Sequence, residues 1–293
     1  MSRTILVIGR SGQVARALAR YPGVVTVGRP DADLANPKTL AAVIARHAPA
    51  AVVNAGAYTA VDAAEAERDE AFAVNAAGAG HLARACAGAD VPLVHISSDY
   101  VFDGSATRPW LEDDEIAPLS AYGTSKAEGE TQVRDAGGRH VILRTSWIYS
   151  ETGRNFLTTM LRLGGQRPEL AIVDDQLGAP TYAADVAAAI ARIVAAAETR
   201  DDIWGTYHFA NAGSTTWFGF AAEIFAQSQA RGRPVPKLKP ITTAEYPTPA
   251  RRPAYSVLDT AKFTRVFGNV PPDWREALTR CMARVAEIEK VSS

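Results

Sequence analysis

Two short segments carry residue types that together can move a proton. One is Ser97-Ser98-Asp99. The other, after an acidic loop, is Tyr122-Gly-Thr-Ser-Lys126. Residues four apart on a helix lie one turn above each other on the same face. A phenol and an ammonium in that relation form an acid–base pair, because a nearby cation favours phenolate and lowers the phenol from its ordinary pKa of about 10. A hydroxyl such as that of Ser98 can hold the same oxygen. This apparatus suits adding or removing a proton at a carbonyl or alcohol oxygen. Tyr-x-x-x-Lys also occurs by chance on surface helices, so its weight comes from what precedes it.

The preceding half of the chain alternates short apolar runs with helical patterns. Thr4–Ile8, Val24–Val27, Ala51–Val53, Leu93–Ile96 and Val141–Leu143 are short, continuous and mostly β-branched, as strands buried on both faces are. Between them 13–20, 38–47, 70–87 and 121–133 read as helices, with Asn36-Pro37 as an N-cap followed by proline at the first helical position. Such alternation predicts an α/β fold with a doubly wound parallel sheet, in which ligands bind beyond the carboxyl ends of the strands. The chemistry-bearing segments all follow predicted strands. Ile5–Ile8 runs into a glycine turn and reads as the first strand, not as the core of a signal peptide.

That turn, Gly9-Arg-Ser11-Gly12-Gln13-Val14-Ala15, is a G-x-x-G-x-x-A form of the dinucleotide fingerprint. Gly9 permits the tight turn, Gly12 lets backbone approach a pyrophosphate, and Ala15 keeps helix and strand close. The bland alternative is an ordinary strand–turn–helix joint. Where the second strand ends, an NAD site usually places an acid; Gly28 and Arg29 stand there instead. An arginine suits a 2′-phosphate, which predicts NADPH over NADH, against the alternative of a solvent-facing side chain. Asp33 and Leu34 follow, where they can flank adenine or its ribose. The loop Asn54-Ala55-Gly56-Ala57-Tyr58-Thr59 begins with small residues that let backbone pass under a ribose or nicotinamide.

Beyond about residue 150 the loops lengthen, and 234–253 holds six prolines, which excludes a long helix. Residues 1–150 with about 170–200 are expected to form the dinucleotide-binding unit. Residues 151–169 and 201–293 are expected to form mainly a smaller, interleaved α/β substrate lobe. Leu170–Val173 reads as a strand, 183–197 as an alanine-rich helix, and 260–267 and 274–290 as closing helices. In all, 293 residues with 47% hydrophobic and 22% charged content suffice for a large core. A formal net charge of −1 argues against nucleic acid as partner. No apolar run approaches the roughly 20 residues of a membrane span. Two distant cysteines, Cys86 and Cys281, fit a reducing cytoplasm, and none of the five histidines has metal-pair spacing.

Taken together these segments resemble the extended short-chain dehydrogenase/reductases and, within them, the dTDP-4-dehydrorhamnose reductase group. The likeness runs nearly the whole chain, through Ser97-Ser-Asp-Tyr-Val-Phe-Asp-Gly104, Arg144-Thr-Ser-Trp-Ile-Tyr149, Asp175-Gln-Leu-Gly-Ala-Pro-Thr181 and Tyr246-Pro-Thr-Pro-Ala-Arg-Arg-Pro253. The resemblance implies an NAD(P)H-dependent reduction of the C4 keto group of a dTDP-linked sugar, the last step of dTDP-L-rhamnose synthesis. Under it Tyr122 is the proton donor, and Lys126 lowers its pKa and binds the nicotinamide ribose. Ser98 tunes the tyrosine and, with Asp99 and Tyr100, meets the sugar, on which Trp147 packs. Gly12, Gln13, Val14, Asp33, Leu34, Ala57, Tyr58 and Thr59 line the cofactor, with Ser11, Ala55, Gly56 and Ser97 beside them. Arg251 or Arg252 is a candidate for the substrate diphosphate, and Trp217 reads as packing. Members of the group are often homodimers, some with interface magnesium held by glutamates. Ala17 stands at the matching position here, which counts against a metal. Two alternatives share the fold, a cofactor-recycling nucleotide-sugar epimerase or dehydratase and a non-catalytic NADP-binding regulatory subunit. The first lacks its extra acid, since position 100 is tyrosine; the intact Tyr122, Lys126 and Ser98 argue against the second.

Overall fold

The computed structural model describes residues 4–292. Six strands form one parallel sheet in the spatial order Gly205–His208, His140–Thr145, Leu93–Ser98, Ala51–Asn54, Ile5–Ile8 and Val24–Val27. Each strand is short and apolar because helices cover both of its faces. On one side Gln13–Leu18, Ala183–Ala197 and Ala261–Phe267 pack over Val7, Val53, Val94 and Leu143. On the other, Pro37–His47, Gly78–Gly88 and Ala121–Asp135 bury Leu6, Val52, Leu93 and Ile142. Successive side chains of a strand point to opposite faces, so these two cores draw on alternate residues of the same strands.

The direction of winding reverses between the first and third strands, whose ends pair as Ile8 with Asn54. A crevice opens at this switch point, beyond the carboxyl ends. The glycine turn and the Asn54–Thr59 loop flank it, and the Ser97–Asp99 segment follows the next strand along. Asn36 caps the helix Pro37–His47 by accepting the Lys38 amide, as its sequence predicts.

A third core, around Tyr149, Leu157, Ile172, Phe220, Trp274 and Met282, belongs to a second lobe. The interleaving differs from the expected boundaries. Glu169–Val173 pairs with Lys237–Ile241 in that second lobe, whereas Gly205–His208, placed beyond the boundary at 200, is the sixth strand of the main sheet. The reason is packing: Tyr207 and Phe209 are needed to complete the core beneath Ala183–Ala197, a long-range demand that local pattern does not express. The proline-rich stretch supplies the strand Lys237–Ile241 and a single helical turn at Thr243–Glu245, with no long helix. No helix among the described residues is long and apolar enough to cross a membrane.

Candidate active site

A cavity of about 540 Å³ opens at the crevice, within the range of about 300–1,000 Å³ usual for small-ligand sites. The glycine turn, the Asn54–Thr59 loop and the Ser97–Asp99 segment all reach it. Ser11, Gly12, Gln13 and Val14 line it from the glycine turn, and Ala55, Gly56, Ala57 and Thr59 from the loop after the third strand. Ser97, Ser98, Asp99 and Tyr100 contribute from the fourth strand and the turn after it, Tyr122 and Lys126 from the helix Ala121–Asp135, and Trp147 from beyond the fifth strand. Gly9 lies beneath, at φ 122°, and a Cβ there would meet the Ala55 backbone at 3.0 Å. Both features require glycine.

The other expected residues stand apart from the cavity lining. Leu34 is buried against Gly56, and Asp33 accepts the Ala35 amide in a local turn. Tyr58 turns its hydroxyl to Glu67 at 2.5 Å. Arg29 is exposed at the end of the second strand. Arg252, expected at the diphosphate, forms a two-pronged ion pair with Asp62 at 2.8 and 3.1 Å and also bonds Thr248. It ties the proline-rich segment to the loop after the third strand. The arginines on the cavity wall are Arg16 and Arg154, both exposed; neither belongs to a motif, so sequence reasoning missed them.

Lys126 is buried and Tyr122 half-buried at the cavity wall, and desolvation is the largest influence on both. Burial lowers the Lys126 ammonium to about 8, while the neighbouring Glu130 charge pulls the other way. Its Nζ donates to the Ile96 carbonyl at 2.7 Å. Desolvation pushes the Tyr122 phenol up to about 12, against the pull of the Ser98 hydroxyl, which favours phenolate. This runs against the expected direction: desolvation, with the Asp99 charge adding to it, outweighs the Ser98 hydroxyl, and Tyr122 is a neutral phenol throughout the physiological range. A neutral phenol is the form that donates.

Below the cavity lies a buried polar network. Arg144 and Glu130 join through two hydrogen bonds, at 2.8 and 2.7 Å, with both side chains almost wholly buried. Ser97 donates to Glu130 at 2.6 Å, and Arg144 also reaches the Glu112 carbonyl and His208. The network clamps the fourth strand to the helix that carries Tyr122, Lys126 and Glu130 on one face.

Asn75 performs a second tethering that sequence gave no reason to expect. It lies in a π-helical turn, Ala73–Ala77, exchanges two hydrogen bonds with the Tyr58 backbone, and donates to Ser125 at 3.0 Å. Single π turns often mark functional sites. The signal available was Gly123 and Gly129, two glycines inside a helix. A Cβ on Gly129 would lie 2.1 Å from the Asn75 carbonyl oxygen, and one on Gly123 2.3 Å from that of Tyr100. Gly129→Ala should therefore lower stability by about 1–3 kcal/mol through overpacking, despite alanine's helix propensity. The urea midpoint of unfolding checks this; an unchanged or raised midpoint would show that the helix has room to move.

Trp147 adopts φ 44°, uncommon for a non-glycine residue. Its ring is stacked on Trp217 at 3.5 Å between centroids and 6° between planes, and a Cβ on Gly178 would stand 2.4 Å from it. Trp217, expected only to pack, also lines the cavity and bonds Gln176.

The model of the RmlD substrate binding domain family matches residues 3–287. A dTDP-4-dehydrorhamnose reductase of Sinorhizobium fredii is 45% identical over 283 residues, covering 94% of this chain and 95% of that protein. The crystal structure of a dTDP-4-dehydrorhamnose reductase from Bacillus anthracis, in complex with NADP, superposes with a TM-score of 0.90 at 34% identity, covering 97% of this chain and all of that one. That of a dTDP-4-dehydrorhamnose reductase from Clostridium acetobutylicum gives 0.90 at 35% identity, covering 97% and 99%. Matched by that family model over residues 3–287 and by such reductases over almost the full length of both chains, the chain belongs to the dTDP-4-dehydrorhamnose reductase family.

Proposed function

We propose that this chain reduces the C4 carbonyl of dTDP-4-dehydro-L-rhamnose to the alcohol, with NADPH as hydride donor and Tyr122 as proton donor. The observation that carries this reading is one cavity lined both by the glycine turn and by Ser98, Tyr122 and Lys126. The residues suit a dinucleotide: Gly9 holds the turn in a conformation a side chain would obstruct, and the helix that follows has no side-chain cap over its amino end.

A bound dihydronicotinamide supplies hydride to the carbonyl carbon. The chain's own groups do the rest. As charge grows on the oxygen, Tyr122 gives it a proton. A sugar alkoxide is a far stronger base than a phenolate, so transfer is favourable even from a phenol near 12. Lys126 uses one of its three N–H donors on Ile96 and keeps two for ribose hydroxyls. Its charge and the Ser98 hydroxyl then stabilise the phenolate. Trp147, held by Trp217, offers a flat apolar face to the sugar. Arg154 and Arg16 supply the cations for diphosphates in place of Arg252. The second lobe carries the nucleotide end of the substrate. A homodimer and a cytoplasmic location belong to the same reading.

The test is NADPH oxidation with dTDP-4-dehydro-L-rhamnose, with the product's configuration read by NMR. One NADPH consumed per product supports a reductase; turnover without net consumption would point to an epimerase. Arg29, exposed just past the second strand, is the candidate for a 2′-phosphate, and one charge-assisted hydrogen bond is worth about 1.5–3 kcal/mol. The ratio kcat/KM should thus favour NADPH over NADH by at least about tenfold. A preference for NADH would remove Arg29 from the cofactor site.

A further inference from the structure

The segment Asp174-Asp175-Gln176 lies outside the cavity lining, yet each of its side chains holds a residue of the second lobe. Asp174 accepts the hydroxyl of Thr216, the residue that caps the helix Trp217–Gln229, at 2.5 Å. Asp175 accepts the Thr243 hydroxyl at 2.6 Å and the Thr243 amide at 2.9 Å. Gln176 is 5% exposed. Its Nε2 donates to Thr243 Oγ1 at 3.0 Å, and its Oε1 accepts the Trp217 indole N–H at 3.2 Å. Leu177 and Gly178 pair antiparallel with Thr216 and Thr215, which keeps the segment beside the start of that helix.

Donor and acceptor capacities give this chain of bonds a single direction. The exposed Asp175 is a carboxylate at neutral pH and can only accept, so Thr243 gives its proton there. Thr243 Oγ1 can then only accept, which requires the NH2 of Gln176. The Gln176 carbonyl is left facing Trp217, whose indole nitrogen can only donate. Turning the amide over would set two acceptors together at Thr243 and two donors together at Trp217. Buried polar groups left unpaired are costly, so the amide, and with it the indole, is held in one orientation.

Trp217 carries that orientation into the cavity. Its ring stacks on Trp147 at 3.5 Å between centroids and 6° between planes, and both residues line the cavity. Phe156 leans on Trp217 at 4.7 Å, and a Cβ on Gly178 would stand 2.4 Å from the Trp147 ring, so the pair is confined. We propose that Gln176 is a positioning residue for sugar recognition: through the Trp217 N–H it sets the tilt of the Trp147–Trp217 pair, and so the surface on which the substrate's hexose rests. This rests on the reductase reading above, in which Trp147 meets the sugar. Gln176 touches neither substrate nor cofactor, so its effect falls on sugar binding and leaves the hydride and proton steps alone.

Steady-state kinetics tests this with variants outside the catalytic groups. Gln176→Leu, close in size and unable to bond the indole, should raise the KM for dTDP-4-dehydro-L-rhamnose about tenfold, the scale of one hydrogen bond left unmade. Its kcat and its KM for NADPH should stay within about twofold of wild type, because Tyr122, Lys126 and the glycine turn are untouched. Thr243→Val touches neither indole and removes only the acceptor that orients the amide; it should raise the same KM about threefold. Trp217→Phe keeps a ring but has no N–H, so adding Gln176→Leu to it should change the sugar KM little further. The stacked indoles should also give an exciton couplet in circular dichroism, abolished by Trp217→Phe and weakened by Gln176→Leu. An unchanged sugar KM in Gln176→Leu overturns the proposal. So does a fall in kcat with a rise in both KM values, the mark of a general loss of structure. If Gln176→Leu does not fold, Thr243→Val decides in its place. If the wild type never oxidises NADPH with the sugar, the reductase reading fails, and the couplet, read without substrate, still decides whether Gln176 holds the pair.

Discussion

Tyr122→Phe should lower kcat by at least about a hundredfold, the usual scale for losing a general acid. The phenylalanine ring fills the same space, so the helix and the edge-on contact with Tyr100, at 5.7 Å between ring centroids, should survive. Cofactor affinity, measured by NADPH fluorescence, should change little, because Lys126 and the glycine turn are untouched. The separation of the two quantities is the point. A fall in affinity with kcat preserved would make Tyr122 a binding residue. Near-full turnover would mean that another group protonates the oxygen. The phenol at about 12 is neutral across physiological pH, so its own ionisation should not appear in the rate profile below the alkaline range.

Arg144→Ala should destabilise the fold by about 3–5 kcal/mol, because it leaves the Glu130 carboxylate buried without its cation. Glu130 is 0% and Arg144 2% exposed at the side chain, so water cannot take the partner's place. Removing both charges, as in Arg144→Met with Glu130→Leu, should cost much less than either single loss, since replacing a buried pair by apolar groups of similar size is often near neutral. Denaturant unfolding of the singles and the double measures this, and additive losses would exclude a coupled pair. The pH dependence has a definite sign. Burial alone would raise the Glu130 carboxyl, but the hydrogen bond and charge of Arg144, with Ser97 and Arg134, more than offset it and hold it below the ordinary value. A depressed carboxyl contributes stability that is present above its unfolded pKa and is lost as pH falls through the folded one. Acid should therefore loosen the strand carrying Ser98 from the helix carrying Tyr122, and activity should fail with it.

Much of this protein was determined by its sequence alone. Short β-branched runs can be buried only where helices cover both faces, so their alternation with helical patterns led to the parallel sheet, and the carboxyl-end rule then put the glycine turn, the Asn54 loop and Ser98 at one crevice. Tyr122 and Lys126 share a face by helical geometry, whatever surrounds them. What depends on a distant partner was legible to no local pattern. Tertiary packing decided that 205–208 completes the sheet, because the core under the helix Ala183–Ala197 lacked a strand. It decided that Arg252 is spent on Asp62, that Asn75 and Gly129 hold the Asn54–Thr59 loop to the helix Ala121–Asp135, and that Trp217 backs Trp147. It also reversed the expected shift at Tyr122. Spacing told which cation shares a helix face with that phenol, but only the folded chain set how far it is desolvated, and desolvation is the largest influence on it.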